Sequence, residues 1–163
     1  MTADAMNDNP AARIREAYCR IHTERMADLP FLNDALEVEV LEFRPREGRW
    51  SGLLITPWFI GFVLMPRESD KWGNLEAGTR WRWRLPSGRQ EFIVNHEPDL
   101  GPYQTCSLFA PVQQFTDQEA ARTAALEALE RLYSPAEPPA PGSPEQPPRA
   151  LSRRGFFRAL VRR

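Results

Sequence analysis

Cysteine is scarce in this 163-residue chain: Cys19 and Cys106 are the only two, and they stand in no C-x-x-C arrangement. That spacing offers neither a zinc site nor a redox pair, and it fits a reducing compartment. Histidine is as rare, with His22 and His96 alone. Cys19 and His22 share a helical spacing, but two ligands without a third do not make a metal site. The nine glycines are scattered singly, so no phosphate-binding loop is present. The first thirty residues include Asp4, Asp8, Glu16 and Glu24 and lack an apolar signal core, so nothing there looks exported. No internal repeat is found.

The longest apolar stretch is Leu53 to Pro66, with no charged residue in fourteen positions and ten large aliphatic or aromatic side chains. A membrane helix needs about 20 such residues, and Pro57 interrupts this run. Its β-branched and aromatic content with a proline between two halves predicts two successive central strands, turning at Thr56-Pro57-Trp58. The overall formal charge of -1 is unevenly distributed. Six arginines and no acid fall in residues 149 to 163, leaving residues 1 to 148 at -7. An acidic body argues against general nucleic-acid binding.

Taken in order, residues 1–8 read as disordered. Asn9-Pro10 opens a helix whose buried stripe is Ile14, Ala17, Tyr18, Ile21 and Met26. Val38 to Phe43 reads as a strand, Arg44 to Gly48 as a turn, and Arg49 to Ile55 as the returning strand. Beyond this apolar stretch, Trp72 marks an anchor within a polar connection. Thr79 to Leu85 alternates Trp81, Trp83 and Leu85 with Arg80, Arg82 and Arg84, the signature of a half-buried strand. Gln90 to Asn95 returns from a Pro86-Ser87-Gly88 turn, and Tyr103 to Pro111 is a further strand. Thr116 and Glu119 have capping-box spacing for a helix to about Tyr133. Seven prolines between Ser134 and Pro148 leave only an extended linker. The expected architecture is α+β: an antiparallel sheet of five to six strands flanked by an N-terminal and a C-terminal helix. The domain spans 9–133, a linker 134–150, and a short basic amphipathic tail 151–163.

No convergent titratable set is evident. Cys106 with His96 is the one thiol-and-base pairing to weigh, and a free cysteine is more often buried than reactive. The aromatic residues outnumber what one small core requires, and indoles are enriched at interfaces. In the tail, Ser152-Arg153-Arg154-Gly155-Phe156-Phe157-Arg158 looks like the twin-arginine motif of bacterial Tat export signals, placed at the wrong end for a leader.

Several motifs in succession then give a resemblance over about Pro10 to Tyr133. Ile55-Thr56-Pro57-Trp58-Phe59 is followed by Val63-Leu64-Met65-Pro66 and Leu85-Pro86-Ser87-Gly88. Leu100-Gly101-Pro102-Tyr103 and Cys106-Ser107-Leu108-Phe109-Ala110-Pro111 complete the series. The whole resembles the HybE/HupJ family of NiFe-hydrogenase assembly chaperones, in which an arginine-rich ending is also seen. The resemblance implies a cytoplasmic, non-catalytic protein without cofactor that binds hydrogenase subunit precursors, chiefly the large subunit, and coordinates assembly with Tat export. The small subunit or its Tat leader is a further partner it implies. Nucleic acid and stable membrane insertion are not expected. Some relatives are linked to a rubredoxin-type iron site, for which this chain lacks the paired C-x-x-C motifs. The partner-binding residues expected are Trp58, Phe59, Tyr103 and Phe109, with Ile55, Val63 and Leu64 in the core and Arg153, Arg154, Phe156 and Phe157 as the tail motif. Two other readings stand beside it: a membrane-surface or Tat-signal-binding adaptor working through the tail, and a thiol-dependent enzyme using Cys106.

Overall fold

A computed structural model describes residues 9–135. The expectations for residues 1–8, for the basic tail, and for the proline-rich stretch beyond Pro135 lie outside them. Within them the order is α1 (Ala11–Ile21), a π-helical turn (His22–Met26), β1 (Glu39–Arg46), β2 (Arg49–Ile55) and β3 (Ile60–Leu64). A 3-10 turn (Lys71–Asn74) leads to β4 (Arg80–Leu85), β5 (Gly88–Glu97), β6 (Gly101–Phe109) and α2 (Gln118–Leu132). All six strands join one antiparallel sheet in the order β1-β2-β3-β6-β5-β4. Both halves of the apolar stretch Leu53 to Pro66 are interior strands, as their composition requires.

The sheet separates two cores. On one face Leu53, Ile55, Ile60, Phe62, Phe92, Val94, Cys106 and Trp72 pack beneath α2, which contributes Ala121, Ala125, Leu129 and Leu132. On the other, Leu54, Val63 and Tyr103 meet Ile14, Tyr18 and Ile21 of α1. Ile55 and Val63 are fully buried and Leu64 nearly so. Trp72 is buried within the first core, so the polar connection is anchored by its indole.

Local differences from the sequence pattern have identifiable causes. β1 runs on to Arg46, through Pro45, because it is an edge strand and its outward side needs no donor there. The turn shrinks to Glu47 and Gly48, with φ of 53° and 81°, the left-handed pair that suits a two-residue hairpin. A bulge between Leu41 and Arg44 sets two residues of β1 against Gly52. Its Glu42 is also left-handed, at φ 54°. The cap of α2 is Asp117, which accepts from the Ala120 N–H at 2.8 Å, one residue beyond Thr116.

Candidate functional site

The β2–β3 turn is fixed by one side chain. Buried Thr56 accepts from the N–H groups of Trp58 and Phe59 at 3.2 and 2.9 Å, and its hydroxyl donates to the Phe59 carbonyl at 2.8 Å. The Pro57 carbonyl accepts from the Asn33 N–H at 2.8 Å, and the Asn33 amide donates to the carbonyls of Val112 and Phe115. Three loops are thereby tied together at one end of the sheet.

So held, Trp58 and Phe59 lie on the α1 side, both half-buried. Trp58 stacks on Tyr18 with ring centroids 6.2 Å apart and reaches His22 at 5.7 Å, while Phe59 lies 6.3 Å from both Tyr18 and Trp58. Gly61 makes this possible, since a Cβ there would come within 2.6 Å of the Phe59 ring. Arg25 of the π-helical turn donates to both carboxylate oxygens of Glu97 at 2.9 Å, and Arg20 of α1 pairs with Asp99 at 2.6 Å, fastening α1 and the turn after it to the β5–β6 end. Such exposed pairs contribute at most about 1 kcal/mol each, so packing holds the helix.

The other two expected contact residues are placed differently. Tyr103 is 1% exposed, and its hydroxyl lies 2.8 Å from that of Tyr18. Burial, with the Tyr18 contact, drives the Tyr103 hydroxyl far above the ordinary tyrosine range, so the pair stays neutral. Tyr103 therefore supports Tyr18, against which Trp58 and Phe59 rest, and offers no free surface. Phe109 has the strand parity of Tyr103, yet an extra residue in β6 opposite Ile60–Gly61 turns it to the α2 side. There it meets Phe115 edge-on, with centroids 5.3 Å apart. Trp58, Phe59 and Tyr103 come together; Phe109 does not join them. Sequence reasoning missed Tyr18 and His22 as members of the cluster. Their i, i+4 spacing was the available signal, because it puts both on one helix face.

Among the described residues no group of three or more His, Cys, Asp or Glu is placed to hold a metal ion. Cys106 is buried, and burial pushes its thiol up to about 12. The His96 ring nitrogen instead donates to the Leu75 carbonyl at 2.8 Å. A neutral, shielded thiol is a poor nucleophile. Native protein at pH 8 is therefore expected to react with a maleimide at half-buried Cys19 and not at Cys106, with both labelled after denaturation. Mass mapping of the labelled peptides checks this, and rapid native labelling of Cys106 would restore the thiol reading.

A profile of the family described as [NiFe]-hydrogenase assembly, chaperone, HybE matches residues 9–159. The chain belongs to that family. Protein HoxT of Cupriavidus necator is 39% identical, over 88% of this chain and 85% of its own. The hydrogenase expression/formation protein HupJ of Bradyrhizobium diazoefficiens is 36% identical, over 89% of this chain and 85% of its own. The solution structure of HybE from Escherichia coli superposes with a TM-score of 0.63 at 28% identity, covering 88% of each chain. This HybE-family protein is thus a hydrogenase-assembly chaperone by family, with the six-stranded sheet and flanking helices of its architecture. No helix among its described residues is long and apolar enough to cross a membrane.

Proposed function

We propose that this HybE-family protein works in the cytoplasm, without catalysis, as a holdase for a NiFe-hydrogenase subunit precursor, chiefly the large subunit. It covers apolar surface on the unfinished subunit until cofactors are in place and the partner subunit docks. The observation that carries this reading is the Trp58–Phe59 pair. It stands on a turn locked by Thr56 and is backed by Tyr18, so both rings are presented in a fixed pose while remaining partly open to solvent. Rigid aromatic anchors lose little conformational entropy on binding and dominate interface energetics. The tail residues Arg153, Arg154, Phe156 and Phe157 act in the same scheme as a decoy for the Tat leader of the small subunit, linking assembly to export.

A quantitative pull-down of the large-subunit precursor tests both parts. The double variant Trp58→Ala/Phe59→Ala, verified as folded, is expected to bind about 30-fold more weakly, since truncating this contacting aromatic pair is expected to cost about 2 kcal/mol in total. Removal of residues 149 to 163 is expected to leave that binding unchanged while altering leader binding and the timing of export. Wild-type capture by the folded double variant would overturn the holdase surface, and unaltered export by the truncation would overturn the decoy.

A further inference from the structure

α1 covers only part of its face of the sheet. Beyond Tyr103 and Val63, the β4–β5 half of that face is open, and the register sets which side chains it carries. Arg80 lies opposite Ile93, Arg82 opposite Glu91, and Arg84 opposite Arg89, all six exposed. The Glu91 carboxylate reaches Arg80 at 3.5 Å, while Arg82, Arg84 and Arg89 form no ion pair with any described residue. Like charges directly opposite on adjacent strands are destabilising, and here the pair sits in a chain whose first 148 residues carry -7. β4 is also the last strand of the sheet, and no described strand pairs with its outer side. Its other face carries Trp81, Trp83 and Leu85, each half-buried against the α2 core.

We propose that β4 is a docking edge for an extended acidic segment of a protein partner, added as a seventh strand. Its backbone pairs with the free side of β4. Alternate side chains of such a strand fall on opposite faces. Acidic residues at every second position then lie beside Arg80, Arg82 and Arg84, and apolar residues between them extend the surface of Trp81, Trp83 and Leu85. Recognition by strand addition takes affinity from main-chain hydrogen bonds and specificity from alternate side chains. The same ladder disfavours a second copy of this chain, because pairing β4 with itself would set arginine beside arginine. The proposal is independent of the Trp58–Phe59 holdase surface, which lies on the α1-covered part of the sheet.

The test uses the full chain, isotopically labelled, titrated with a short synthetic peptide alternating Glu and Val. Backbone amide shifts concentrated at residues 80 to 85 are expected, together with affinity that falls as salt rises. Arg82→Glu/Arg84→Glu, exposed on a sheet that retains its core, is expected to weaken binding at least about tenfold. Arg82→Gln/Arg84→Gln is the substitute if the charge reversal proves unfolded. Trp58→Ala is expected to leave this binding intact, which separates the surface from the holdase reading. Absence of binding at millimolar peptide would overturn the proposal, as would equal binding of a Lys–Val peptide, shifts confined to other elements, or full affinity in the variants. Sedimentation with phosphatidylserine vesicles that depends on Arg82 and Arg84, without peptide binding, would overturn it in favour of an anionic lipid surface.

Discussion

Tyr103→Ala is expected to lower the free energy of unfolding by about 4 kcal/mol, in the range for removing a buried aromatic ring, whereas Trp58→Ala lowers it by about 1 kcal/mol. The two residues belong to one aromatic cluster and were both expected to touch a partner, so the contrast is informative. Tyr103 fills the floor of the α1 core at 1% exposure, edge-on to Tyr18 at 6.4 Å. Its removal opens a cavity and strands the buried Tyr18 hydroxyl, which then lacks its 2.8 Å partner. Tyr103→Phe separates the contributions. It keeps the ring and removes the hydroxyl, with an expected cost of about 1 to 2 kcal/mol. Chemical denaturation of the three variants checks the order. Equal costs for Tyr103→Ala and Trp58→Ala would mean that α1 does not pack over β6 as described. A practical consequence is that loss of precursor capture by Tyr103→Ala would report unfolding, while loss by folded Trp58→Ala reports the surface.

Gly52→Ala is expected to cost about 3 kcal/mol, the upper range for overpacking a close-packed site. An added Cβ would come within 2.4 Å of the Phe43 ring, 2.7 Å of the Phe43 Cα and 2.9 Å of the Leu41 carbonyl oxygen. A ring can swing aside. The Cα and carbonyl cannot move without opening the bulge, where the sheet closes tightly over Gly52. Phe43 is further pinned by Trp50, stacked at 6.3 Å with planes 8° apart. Thermal melting should show a clear drop for Gly52→Ala; an unchanged melting temperature would remove the steric account of the bulge.

The residues themselves show how far sequence reasoning reached. Alternation made β4 legible, because Trp81, Trp83 and Leu85 face a core while three arginines face solvent. The uncharged run made β2 and β3 legible as interior strands. The end of β1 was not, since a proline reads as a stop unless one knows that the strand lies at an edge. The candidate site was half legible. A turn proline followed by two aromatics pointed to Trp58 and Phe59, but whether Tyr103 is covered depends on α1, which approaches from more than eighty residues away in the chain. The side taken by Phe109 depends on a single extra residue in β6, which alternation cannot register until the partner strand is known. Arg46 illustrates a similar limit. It donates to the carbonyl and hydroxyl of Ser51 at 2.6 and 3.2 Å and lies 5.9 Å from the ring centres of Phe62 and Tyr133. Nothing in the Arg44-Pro45-Arg46 string distinguishes it from its exposed neighbour Arg44.

The division of the interior by the sheet bears on how this protein tolerates change. Substitutions without shared partners combine additively, whereas neighbours in contact do not. Tyr18 and Tyr103 touch each other, as do Phe62 and Phe92, but each pair lies on its own side of the backbone layer. The two cores can therefore drift almost independently over evolutionary time, each repacking under its own helix, so long as the interior strands of the shared sheet keep their register.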